Sequence, residues 1–353
     1  MTPRRTWGLA LLATLSGVLL LPACNRHKTA EANPIVPSIK VNRTKAPLGS
    51  ALEITYTWTL EPGAKKPGQD YRALVHFVEN GQTMLFEDDH VPVPPTSQWE
   101  PGKTYTYKRT RFVPVYPYIG EVEVRMGLYP FPGRGERPAL KGDDKGFREY
   151  KVGTLELLPQ TENIFPVFKE GWHNPETQPE NPAVERTWTK KEALMSFKNP
   201  NFNKTAKSDV VVYLQADTCV KCFAQTPELT VTVGNNVGLR FPIESPEVFL
   251  KKVRVKAEDL GSDEWVDVRL AMNQSFVPKS LTPPLNNDDR ELGLLVYHLY
   301  VVDAATSEGA ENVVDAVRLA PAAPVAAAAS AAAKAPAGKA PASKAQPAAA
   351  KKP

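Results

Sequence analysis

The 353-residue chain has only three cysteines and five histidines. It has no G-x-S-x-G elbow, no H-E-x-x-H pair, no phosphate-binding glycine loop and no EF-hand spacing. The histidines are scattered, and no base–nucleophile pair can be assembled from them. The expectation is a protein that is not an enzyme and holds no cofactor or metal. Long apolar runs are also lacking. The longest, Trp7 to Leu21, is about fifteen residues, short of the roughly twenty that cross a bilayer. No stretch has the periodicity of a long amphipathic helix. The formal charge of +4 is an effect of the ends. Setting aside Arg4 and Arg5 and the tail lysines 334, 339, 344, 351 and 352 leaves about −3 for residues 24–318. A near-neutral body has no electrostatic case for nucleic acid.

The N-terminus, "MTPRRTWGLALLATLSGVLLLPACNRHK", has a basic start, a short apolar run and small residues before Cys24. That is the pattern of a secretory signal, to be set apart from the fold. Leu21-Pro22-Ala23-Cys24 resembles the bacterial lipoprotein box. The resemblance implies cleavage after residue 23 and a lipid on the Cys24 thiol. Each buried methylene contributes about 0.8 kcal/mol, so two or three acyl chains make a stable membrane anchor. Asn25 in place of aspartate implies, by the enterobacterial sorting rule, the outer membrane, facing periplasm or surface.

Cys219 and Cys222, in "ADTCVKCFAQT", are then the remaining pair. C-x-x-C spacing fits a redox pair, half a zinc site or a small disulfide. Zinc needs further ligands, and no histidine stands at partner spacing. A thioredoxin-type pair opens a helix, but "FAQTPELTVTV" contains Pro227 and continues as a strand. A disulfide across a turn suits an oxidising compartment, and the ends of a turn are close enough to be bridged.

The pattern between the ends is β throughout. "LEITYTWTL" places Leu52, Ile54, Tyr56, Trp58 and Leu60 on one face and Glu53 with three threonines on the other. Asn80-Gly81 between "YRALVHFV" and "TMLF" marks a hairpin. "EVEVRMGL" points Val122, Val124, Met126 and Leu128 inward. The fold class expected is all-β: two tandem β-sandwiches of Ig-like or jelly-roll-like kind. The expected organisation is signal 1–23, tether 24–34, first sandwich 35–158, Pro-rich linker 159–185, second sandwich 186–303, and a disordered Ala/Pro/Lys tail 304–353. That tail lacks the large apolar residues that offset ordering entropy.

Two stretches carry further resemblances. His90, Pro95-Thr96-Ser97, Trp99, Pro101-Gly102, Gly127-Leu128-Tyr129, Gly135 and Arg137 resemble an extracytoplasmic β domain of some membrane glycosyltransferases. Phe276-Val277-Pro278, Asp289-Arg290 and Leu292-Gly293 resemble the edge of jelly-roll-like domains in surface-polysaccharide assembly proteins. Both imply fold rather than function.

Few residues invite chemistry. Glu87, Asp88, Asp89 and His90 cluster in "FEDDH", but neighbours on a strand point to opposite faces, so a solvated strand end is expected. "NNDDRE" is read as a loop fixed by an Asp–Arg pair, and "GDDKG" as a turn. Trp58 and Trp188 fall on core-facing positions. Trp172 beside His173, and Trp99, are the candidate ligand contacts, against the plainer reading in which they pack on a domain. The resulting expectation is a lipid-anchored envelope protein acting as a non-catalytic interaction or scaffold module, with an envelope protein as partner. The alternative is a module that binds envelope polysaccharide.

Overall fold

A computed structural model describes residues 33–319 apart from 116, 117, 134, 163, 165, 179 and 180. The expected signal 1–23, Cys24 and residues 320–353 lie outside the described residues.

The first sandwich packs two sheets. One is three-stranded, in the order β1 (Ile35–Val41), β3 (Ala51–Leu60), β6 (Thr104–Phe112). The other runs β2 (Lys45–Pro47), β9 (Tyr150–Leu158), β7 (Gly120–Pro130), β4 (Tyr71–Glu79), β5 (Thr83–Glu87), with β8 (Asp143–Asp144) added on β9. Pairing is antiparallel except between β2 and β9. The alternation in β3 meets the core as its pattern demands: Leu52, Ile54, Tyr56, Trp58 and Leu60 are all buried. Full burial of such side chains contributes about 1.5–3 kcal/mol each. Asn80 and Gly81 both take positive φ, 49° and 70°, and close the β4–β5 hairpin.

The second sandwich has two six-stranded sheets. One runs β10 (Pro166–Phe168), β13 (Glu192–Lys198), β18 (Trp265–Met272), β15 (Glu228–Val233), β16 (Val237–Pro242), β21 (Val317–Arg318). The other runs β11 (Glu176–Gln178), β12 (Asn181–Trp188), β19 (Leu295–Asp303), β14 (Val210–Asp217), β17 (Phe249–Val255), β20 (Val313–Asp315). Cys219 and Cys222 form a disulfide in the short turn between β14 and β15, with Cα atoms 5.3 Å apart.

Two boundaries differ from expectation. The segment 159–185 supplies edge strands of the second sandwich, β10, β11 and the start of β12, in addition to joining the domains. Pro166 is the first residue of β10, a position that edge strands tolerate. The expected tail start at residue 304 is also too early. A short helix at Ala304–Ser307 leads to β20, which pairs in parallel with β17, and β21 then pairs with β16 on the other sheet. Val313, Val314 and Val317 carry these additions. A three-residue edge strand is too short to show in a periodicity.

The two sandwiches meet sheet against sheet. Ala51 and Phe112 of the first form one buried cluster with Val211, Tyr213, Tyr300 and Val302 of the second. Glu53, on the face expected to be solvated, is buried there. Its carboxylate accepts from the Thr110 hydroxyl and from the Lys252 ammonium, the latter at 2.8 Å. Arg43 pairs with Glu162 at the edge of this contact and donates to the Ala51 carbonyl at 2.7 Å.

Candidate functional site

The contact between the sandwiches leaves a cleft of about 470 Å³ at one side. The first sandwich contributes Arg111 and Phe112 from the end of β6, and Val113-Pro114-Val115 beyond it. Pro114 cannot continue the ladder, so the chain turns away there and opens the space. The second contributes Phe168 from β10, then Trp172, then Glu185, Arg186 and Thr187 from β12, and Val296 to Leu299 from β19.

The position of each group has a cause. The Phe112 ring stacks on His298 across the domain boundary, with centroids 4.4 Å apart and planes within 4°. His298 Nδ1–H donates to Gln215 Oε1 at 2.7 Å. Burial, reinforced by the Arg111 charge, depresses the His298 pKa to about 4, so the imidazole is neutral at pH 7. The Tyr297 hydroxyl donates to Asp217 at 2.8 Å, and burial raises the Asp217 pKa. Trp172 donates its indole N–H to the Leu194 carbonyl at 2.9 Å, and Phe168 lies against it at 4.5 Å. Phe168 is half exposed. The result is a concave surface of fixed aromatic faces with two guanidinium groups, a phenol and a carboxylate at its margin. Such a surface suits a ligand with apolar faces and many hydroxyls.

The sequence candidates separate. Trp172 lines the cleft. His173, its neighbour, does not: Nε2–H donates to the Glu291 carbonyl at 2.7 Å and the ring holds the 291 loop. Trp99 is fully buried, which removes it as a ligand contact. Its indole donates to the Pro94 carbonyl at 3.0 Å and packs between Trp58 and Tyr105. The loop "PTSQWEPG" folds over the end of the sandwich instead of standing free. Arg111, Phe112, Phe168, Arg186, Tyr297 and His298 were not singled out by sequence. The signal available was "LLVYHLYVV", where a histidine interrupts an apolar run that does not alternate.

The "FEDDH" stretch is not a solvated strand end. Its alternation sends Asp88 and His90 inward, where both are buried. Asp88 accepts from Tyr56 at 2.8 Å and from two nitrogens of Arg109 at 3.0 and 3.1 Å. His90 Nδ1–H donates to the Asp88 carbonyl, leaving Nε2 to accept from the Tyr107 hydroxyl at 2.8 Å. Trp58 donates to that hydroxyl in turn. Burial takes His90 down to about 4 despite the Asp88 charge. Each polar group of this network has a partner, as a buried structural network requires. In "NNDDRE" the loop is fixed by Arg290 on Asp288, with Glu176 as a second partner at 2.7 Å.

No family model matches the chain, and no curated protein matches it. Solved structures give slight likenesses. A GH115 4-O-methyl-α-glucuronidase with specificity for decorated arabinogalactans is 10% identical, covering 44% of this chain and 20% of its own, at a TM-score of 0.28. The chain thus spans about a fifth of that enzyme's length. Promiscuous carbohydrate-binding modules of the β-sandwich superfamily are 9% identical, covering 77% of this chain and 96% of theirs, at 0.18. The tandem CBM22-1–CBM22-2 domain of Paenibacillus barcinonensis Xyn10C is 9% identical, covering 76% and 93%, at 0.22. Likenesses this slight carry nothing about function, and the cleft stands on its own geometry.

Proposed function

We propose that this protein is a lipid-anchored component of the bacterial envelope that binds an envelope polysaccharide, without catalysis, in the cleft between its two sandwiches. One observation carries the reading: Trp172, the half-exposed Phe168 and Tyr297 of the second sandwich share with Arg111 of the first a cleft that neither domain forms alone, with Phe112 buried behind it on His298. Aromatic faces suit the apolar faces of pyranose rings, and the guanidinium groups match hydroxyl and carboxylate oxygens. The lipoprotein-like start supports export and tethering, and the disulfide accords with an oxidising compartment.

Calorimetric titration with polysaccharide fractions from the native envelope tests it. Saturable heat is expected, and Trp172→Ala weakens the affinity by about tenfold, equivalent to about 1.4 kcal/mol. No heat with any fraction at millimolar sugar overturns the reading and directs attention to a protein partner. The anchor is tested apart: Cys24→Ser abolishes incorporation of labelled palmitate and partitioning into detergent.

A further inference from the structure

The outer face of the larger sheet of the first sandwich carries a second group of side chains that the cleft does not use. His76 stands on β4 directly opposite Glu87 on β5. The chain stays beside β4 past Glu87, where Ala73 and His90 form a bridge. Asp89, two residues from Glu87, therefore returns to the same side. One ligand atom from each of His76, Glu87 and Asp89 lies within 4.8 Å of the other two.

A β-bulge makes this juxtaposition. Near the turn Val78 pairs with Met84, but Phe77 pairs with Phe86, so one extra residue enters β5. Without it His76 would face Phe86. A bulge that re-aims a side chain is a recurrent device beside functional sites.

The surroundings favour a bound cation. Glu123 is neutralised by Arg125 at 2.7 Å and Lys151 at 3.1 Å. Glu149 is neutralised by Arg137 at 3.1 Å. Among the described residues no arginine or lysine side chain lies within 4.0 Å of the Glu87 or Asp89 carboxylates. Arg72 reaches Asp89 only at its backbone carbonyl. The imidazole is oriented as a ligand would be. Its Nδ1 faces Glu149 at 3.3 Å, and its Nε2 faces Asp89 Oδ1 at 3.9 Å. A carboxylate behind one ring nitrogen, holding the other toward the metal, is the usual outer support of a histidine ligand. The Val75 amide donates to Asp89 Oδ1 at 2.8 Å and fixes that carboxylate as well.

We propose that His76, Glu87 and Asp89 bind one divalent transition-metal ion of the zinc class, with Glu149 positioning the imidazole. Bond lengths of 2.0–2.2 Å place neighbouring donors about 3.4 Å apart in a tetrahedral site. Nε2 and Oδ1 need to close by about half an ångström to reach that spacing. Glu87 is exposed and free to swing onto the ion. Three protein donors leave a fourth position to water. The imidazole selects against calcium and magnesium, which take oxygen ligands. This site is separate from the cleft, and its test does not depend on any glycan.

The test is titration of untagged, chelator-stripped protein with zinc chloride, and with cobalt(II) for its visible absorption. One equivalent is expected to bind with a Kd below about 10 µM, unaffected by millimolar calcium. His76→Ala and the exposed Glu87→Gln each weaken binding by tenfold or more and alter the cobalt spectrum. Glu149→Gln weakens it by about tenfold while leaving the ligand set intact. Glu87→Gln keeps the test decisive should His76→Ala fail to fold. Absence of binding at 100 µM zinc, or binding that survives both ligand substitutions, overturns the proposal.

Discussion

The Glu53 carboxylate and the Lys252 ammonium meet at 2.8 Å across the boundary between the two sandwiches, each side chain only 5% exposed. A buried charge without its partner is costly, whereas an apolar replacement of the whole pair is often neutral. Glu53→Ala alone or Lys252→Ala alone therefore costs about 3–5 kcal/mol, while Glu53→Leu with Lys252→Met costs much less. Urea unfolding of the two single variants and the double variant measures the difference. That buried contact is expected to couple the two sandwiches into one unfolding transition in the wild-type protein, and the transition is expected to split in the single variants.

His90 and His298 set a pH dependence. Each is held neutral by burial, with a folded pKa of about 4 against an ordinary value of about 6.5. Between those values the unfolded chain binds more protons than the folded one, so stability falls as pH drops from about 6.5 to about 4. The loss is of the order of 3 kcal/mol per histidine. Urea midpoints across pH 4–8 record it, and His298→Gln flattens the profile by about half.

The Cys219–Cys222 disulfide closes a loop of four residues, and so short a loop removes little entropy from the unfolded chain. Reduction is expected to cost no more than about 2 kcal/mol and to leave the β-type circular dichroism unchanged. Loss of the fold on mild reduction would give the bridge a larger part than its loop length allows.

Trp99 and Trp172 are expected to respond in opposite ways. Trp99→Ala opens a cavity beside Trp58 and Tyr105 and costs about 3–5 kcal/mol in stability. Trp172→Ala costs less stability and more affinity. Parallel thermal melts and polysaccharide titrations of the two variants separate the roles.

How much of this was legible depended on where each side chain finds its partner. "LEITYTWTL" alternates because its core is within its own domain, and the five apolar positions read off correctly. "DVVVYL" does not alternate, because Val210, Val212 and Leu214 enter one core while Val211 and Tyr213 meet Phe112 and Ala51 of the other domain. A continuous apolar run signals two covered faces, but nothing local names the cover. The turn at Asn80-Gly81 was plain from its residue types. The bulge that aligns His76 with Glu87 was not, since it depends on how the hairpin seats on the sheet. Between the two readings of Trp99 the sequence could not choose, because its partners, the Pro94 carbonyl and the Trp58 and Tyr105 rings, are set by tertiary packing.

The separation of 199 residues between Glu53 and Lys252 also sets an order of assembly. The first sandwich has all its strands once Leu158 is in place. Its outer face, with Ala51, Phe112 and a Glu53 that has the Thr110 hydroxyl but no cation as partner, has its cover only when β14, β17 and β19 are in place. That interval is the vulnerable stage of folding, because an uncovered sheet face with apolar residues invites the wrong partner. The charge at Glu53 works against such pairing, and Lys252 cancels it when the native cover arrives.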